Sequence, residues 1–160
     1  MNDILSTRCP GKRLTNELNY EWTEEKQEEI NTYYHGTQNN IMTFFMFFEN
    51  IKNPIEIHLK FKDSTYPFKP PQVLIGSSNY PYTSLLPYRW SFAQKIWGNK
   101  CPCCDTVICR GNWGPKNKIS DITNEIRENF NKKIRIMNIF LCKKIVDKHF
   151  GHYLPIEEFL

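Results

Sequence analysis

The chain has 160 residues, of which 40% are apolar and 24% charged, and its net charge is +4. That length suits one domain that buries enough surface to fold without a metal or a disulfide staple. The charge is mild, and lysines interleave with glutamates, so a solvated surface is expected and no nucleic-acid groove.

The first ten residues, MNDILSTRCP, hold no apolar signal core. The longest apolar stretch, Ile41 to Phe48, is interrupted by Thr43 and is too short to cross a bilayer. The expectation is a protein of the cytoplasm and/or nucleus, not secreted and without a membrane partner, in which thiols stay reduced.

From Lys12 to about Lys26 the pattern predicts a helix, with Leu14, Leu18 and Trp22 recurring every four residues on one stripe. Residues 30–34 (INTYY) and 41–48 (IMTFFMFF) are β-branched and aromatic, and HGTQNN between them reads as a turn. Residues 55–61 (IEIHLKF) alternate with period two, and 72–76 (QVLIG) make a further short strand. Together these predict a four-stranded antiparallel meander. Before the last strand stands TYPFKPP, whose prolines 67, 70 and 71 forbid helix and ladder alike. Residues 77–112 have no clear period, and a long irregular stretch in a small domain is usually functional. From Ser120 onward, Ile122, Ile126, Phe130, Ile134, Met137, Leu141 and Ile145 are spaced by three or four. Ser120 reads as the N-cap, with Asp121 favourable in the first turn. A straight helix of that extent would be about 45 Å long, so a break or bend near residues 129–131 is expected.

The irregular region contains NKCPCCDTVICRGNWGP (99–115), which carries Cys101, Cys103, Cys104 and Cys109, four of the six cysteines. A zinc site is the first alternative to weigh, since Cys101 and Cys104 make a C-x-x-C frame. Four ligands packed into nine residues close a tetrahedron awkwardly, and structural sites usually join two separated knuckles. No metal is therefore expected. Cys9 and Cys142 are isolated and read as core or incidental residues. His35, His58, His149 and His152 lie away from the cluster and read as solvated or structural.

Three blocks then resemble the ubiquitin-conjugating enzyme family, in family order and over about residues 11–130. GKRLTNEL (11–18) is similar to the family's first helix, YPFKPPQV (66–73) to its proline loop, and NWGPKNKISDI (112–122) to its Trp-x-Pro segment and following helix. The resemblance implies one α+β domain over 1–160: an N-terminal helix, a four-stranded antiparallel meander, an active-site crossover and C-terminal helices. It implies an enzyme that takes ubiquitin, or a ubiquitin-like protein, from an activating enzyme as a cysteine thioester. The modifier is then passed to a substrate or a ubiquitin ligase. No cofactor is implied, because ATP is used upstream by the activating enzyme.

The thiolate chemistry suits the task, being nucleophilic near neutral pH and giving an ester that stays reactive to amines. Cys104, followed by Asp105-Thr106-Val107-Ile108, fits the family's nucleophile pattern with about one extra residue before Trp113. Cys109 and Cys103 are the alternatives. Lys100 and Arg110 flank the cluster and would favour a thiolate if they point inward. By the same resemblance Phe68 and Pro115 meet the ligase, Lys12 and Arg13 meet the activating enzyme, and Trp113 supports the active-site loop.

One departure matters. Where the family carries His-Pro-Asn, this chain has Tyr80-Pro81-Tyr82. The family's Asn holds the loop and helps stabilise the oxyanion during lysine attack. Asn99, Asn112 and Tyr82 are the candidate substitutes. The loss makes a catalytically inactive, partner-binding relative the alternative function, and a zinc-stabilised interaction domain a third.

Overall fold

The computed structural model describes residues 11–49, 51–62, 65–86 and 104–150. The elements run α1 (Gly11–Glu21), α2 (Glu24–Glu29), β1 (Thr32–Gln38), β2 (Ile41–Phe48), β3 (Ile51–Lys60), β4 (Gln72–Ile75), β5 (Tyr80–Pro81), a 3-10 turn (Tyr82–Leu85) and α3 (Ile119–Phe150). The five strands form an antiparallel sheet in chain order. The class is α+β, with one strand more among the described residues than the four expected.

The strand period explains the core. In β2, Met42, Phe44 and Met46 alternate inward and are fully buried. Register extends their rows across the sheet: Phe44 lies opposite Ile57, which lies opposite Ile75, while Met42, Leu59 and Val73 form the next row. Onto this face pack Leu14, Trp22, Ile119, Ile122 and Ile126. Burying each such side chain is worth about 1.5–3 kcal/mol.

The expected first helix is two. The apolar stripe ends at Trp22, whose indole turns in against Phe44 at 4.7 Å between ring centroids. The following EEKQEE run has no apolar face to continue the stripe. It restarts as α2 behind Thr23, with Glu24 and Glu25 in the first turn where the helix dipole favours them.

The first turn is shorter than expected. Residues 35–38 belong to β1, and only Asn39 and Asn40 make the connection, with φ of 50° and 62°. Two consecutive positive φ values fit a type I′ hairpin turn, which asparagine tolerates. β3 begins at Ile51, earlier than expected, despite Pro54. Proline is accepted there because β4 pairs only with residues 57–60 and the β2 register shifts between Met46 and Phe48. β5 is two residues long, too short to carry any period. Gly76 (φ 71°) and Asn79 (φ 54°) turn the chain back to make it.

Among the described residues the C-terminal region contains one helix where helices were expected, and no break falls near 129–131. α3 runs unbroken for 32 residues. No Gly or Pro interrupts it, and the suspected break is packed in place: buried Asn129 donates to the Tyr82 hydroxyl, and Phe130 stacks on Phe48 at 5.7 Å. Arg127 adds a clip, donating to Phe47 O, Asn31 O and Thr32 Oγ1 from above the Phe48 ring. Further along, Met137, Leu141 and Ile145 are exposed. Among the described residues no helix is long and apolar enough to cross a membrane.

Candidate active site

Two loops meet at one end of the sheet. The proline loop is held by its own turn, in which Phe68 and Lys69 N–H groups donate to Thr65 O at 2.8 and 3.0 Å. Its Tyr66-Pro67 peptide is cis. The segment 104–118 lies beside it, and Trp113 joins the two: the indole Nε1–H donates to Pro67 O at 2.8 Å and the ring lies 6.1 Å from Tyr66. Trp113 is buried. Between the loops is a cavity of about 430 Å³ lined by Phe68, Trp113, Lys62, Lys69 and Arg110.

Phe68 is 74% exposed and Pro115 is exposed on the neighbouring turn, which Gly114 and Asn117 close. An exposed Phe contributes little to the fold. Phe68→Ala should therefore shift the melting temperature by no more than about 2 °C, the range of a surface substitution in a chain of this size. A buried Phe would cost about 3–5 kcal/mol, so a scanning calorimeter separates the two cases.

Cys104 is exposed and Cys109 half-buried. Cys103 and Cys101 lie outside the described residues, as do Lys100 and Asn99. The turn between Cys104 and Cys109 is strongly determined. Cys109 N–H donates to Thr106 O, and Cys109 O accepts from the N–H groups of Asn112 and Trp113. The Asn112 amide donates to Cys104 O at 2.8 Å and to Thr106 O at 2.9 Å. From the other side, Glu125 on α3 accepts the Val107 N–H. Among the described residues no three His, Cys, Asp or Glu side chains converge as a metal site would require. Arg110 is exposed and lines the cavity between the loops.

A buried carboxylate fixes this end of the molecule. Glu17, on α1, is 5% exposed. It accepts Arg13 Nε at 2.7 Å, the Tyr66 hydroxyl at 2.7 Å and Ile119 N–H at 3.2 Å. One side chain thus joins α1, the proline loop and the start of α3. Burial, then the Glu17 carboxylate, pushes the Tyr66 phenol far above its usual range. Glu17 also supplies what Ser120 was expected to give. The helix starts two residues earlier than a Ser120 cap would give, at Ile119, and Ser120 Oγ donates to Glu21 instead. Asp121 reaches back to Lys118 N–H at 2.8 Å, half of a capping box.

Other expected residues fall as follows. Lys12 is exposed, while Arg13 is committed to Glu17. Tyr82 is fully buried, its oxygen accepts from Asn129 and its hydroxyl is directed to Glu125, so it offers no donor to a substrate. The Asn112 amide is spent on the cysteine turn. His35 meets Phe45 edge to face, His58 bonds Thr43 on the sheet, and Cys142 and His149 are exposed on α3. Sequence reasoning missed Glu17 and Glu125. The only signal for either was an acid on the edge of an apolar helical stripe. Compared with family models, curated proteins and solved structures, the chain matches none.

Proposed function

We propose that this chain is a ubiquitin-conjugating enzyme in fold and activity, carrying ubiquitin or a ubiquitin-like protein as a thioester on Cys104. The observation that carries the reading is an exposed cysteine on a turn tied by Asn112, set in the segment that Trp113 fastens to the proline loop. The Cys104 thiolate attacks the thioester carbonyl held by the activating enzyme. A new sulfur–carbon bond forms and the activating enzyme's thiolate leaves. In the second transfer a lysine amine or a ligase thiolate attacks the same carbonyl, and Cys104 leaves as thiolate. Phe68 and Pro115 form the ligase surface and Lys12 the contact for the activating enzyme. Arg13 serves that contact only through the part of its side chain that Glu17 leaves open.

The test is incubation with activating enzyme, ATP and ubiquitin, read on a non-reducing gel. The expected result is a ubiquitin adduct that reductant removes. Phe68→Ala should load at the wild-type rate yet slow ligase-dependent transfer.

The engagement of Tyr82 and Asn112 in structural bonds favours a second reading, a binding module of the same fold without the chemistry. It predicts non-covalent ubiquitin binding with no adduct from any activating enzyme.

A further inference from the structure

Glu125 is the acid of α3 that accepts a backbone N–H from the cysteine turn. Its Oε2 accepts the Val107 N–H from the cysteine turn, three residues beyond Cys104. Its Oε1 is buried and accepts no hydrogen bond among the described residues. A cavity of about 450 Å³ opens beside it, lined by Val107, Lys116, Asp121, Asn124 and Glu128. A surface glutamate would turn both oxygens to water. Here one oxygen is withdrawn from solvent while the other holds a backbone donor of the turn, and the Tyr82 hydroxyl is directed at the carboxyl. The cost of that burial has to be offset by the contact it makes.

We propose that Glu125 is a positioning residue for the thiol-bearing turn, acting through the Val107 N–H that it accepts. The inference rests on Cys104 being the nucleophile. Asn112 grips the turn at Cys104 O and Thr106 O, and Glu125 grips its opposite side. The two together fix where residues 104–107 sit against α3.

The grip depends on charge. Burial pushes the Glu125 carboxyl above its ordinary value of 4.5, the Val107 N–H and the Tyr82 hydroxyl draw it back in part, and Asp105 and Glu128 push it up again. Asp121 and Lys116, on the cavity wall, are the other charged groups facing it. The sign follows from linkage. A carboxyl whose value is raised in the closed turn binds its proton more tightly there than in an open one. The closed turn is therefore favoured fully below 4.5, and that advantage is lost as pH rises through the raised value.

The test compares wild type, Glu125→Gln and Glu125→Ala by hydrogen exchange at the Val107 amide and by thioester loading. Gln keeps an acceptor for Val107 without the charge. Its Val107 protection should not vary with pH, whereas wild-type protection should fall as pH rises above 4.5. In Ala, Val107 should exchange about tenfold faster or more than in wild type. Loading should slow by roughly ten- to a hundredfold in Ala, as for a misplaced reacting group, and be rescued in Gln. Equal loss in Ala and Gln, or unchanged Val107 exchange in Ala, overturns the proposal. If wild type loads with no activating enzyme, the conjugation reading fails separately. Alkylation of Cys104 by iodoacetamide then replaces loading: a rate changed at least about threefold in Ala and restored in Gln supports the positioning role, and an unchanged rate overturns it.

Discussion

Cys104→Ala is expected to abolish the ubiquitin adduct outright, and Cys104→Ser to leave an adduct that survives reductant but yields to base. The expectation rests on accessibility. Cys104 is exposed, while Cys109 is half-buried. A protein-sized thioester has to approach the sulfur, and of the two described cysteines in the segment beside Trp113, Cys104 meets that demand better; Cys142, also exposed, lies on α3. Cys109→Ala should load normally. Because Cys104 is on the surface, its replacement should change stability by no more than about 0.5 kcal/mol, so loss of loading with an unchanged melting curve isolates the chemistry. If Cys104→Ala still loads while Cys109→Ala or Cys103→Ala does not, the nucleophile is one of those two. Serine is the sharper probe. Its oxygen forms the weaker nucleophile but the more durable ester, which is why a trapped adduct names the attacking atom.

Glu17→Ala should be the most damaging substitution to the fold. It removes the acceptor of three donors at once, and Tyr66 and Ile119 are left without it inside the protein. Breaking a buried charged network by removing one partner costs about 3–5 kcal/mol. The Arg13 side chain is 40% exposed, so its share is screened by water and the lower end of the range applies. A loss of about 3 kcal/mol corresponds to a fall in melting temperature of roughly 6–12 °C for a chain this long. Urea titration checks the energy directly. Glu17→Gln keeps an acceptor for Ile119 N–H and should lose less than half as much. An equal loss in both variants would show that the charge, rather than the acceptor geometry, carries the stabilisation. A drop below about 1 kcal/mol in Ala would mean water replaces the carboxylate, against the burial seen here.

These two residues differ in how visible they are in the sequence. Cys104 stands out in a cluster of cysteines, and chemistry alone singles it out. Glu17 looks like any helical glutamate. Its partners, Tyr66 and Ile119, lie 49 and 102 residues away, and a side chain's use of such partners leaves no local periodicity. Glu125 is hidden for the same reason, since Val107 is 18 residues distant.

What the sequence determined by itself is what short-range physics sets. Alternation in IMTFFMFF places Met42, Phe44 and Met46 on one face, because successive side chains on a strand point to opposite sides. The prolines of TYPFKPP exclude regular structure whatever surrounds them. The spacing of Ile122 and Ile126 starts the buried stripe of α3. The tertiary structure decided the rest. It ended α1 at Glu21, because Trp22 had to reach Phe44. It kept α3 unbroken past Asn129, because Tyr82 and Phe48 hold that turn from elements distant in the chain. It turned Tyr80–Pro81 into an edge strand through pairing with Leu74 and Ile75. It also fixed the cysteine turn between Asn112 and Glu125. In each of these cases the deciding partner is supplied only once the chain has folded, since buried polar groups and rings are satisfied by whatever the fold brings beside them.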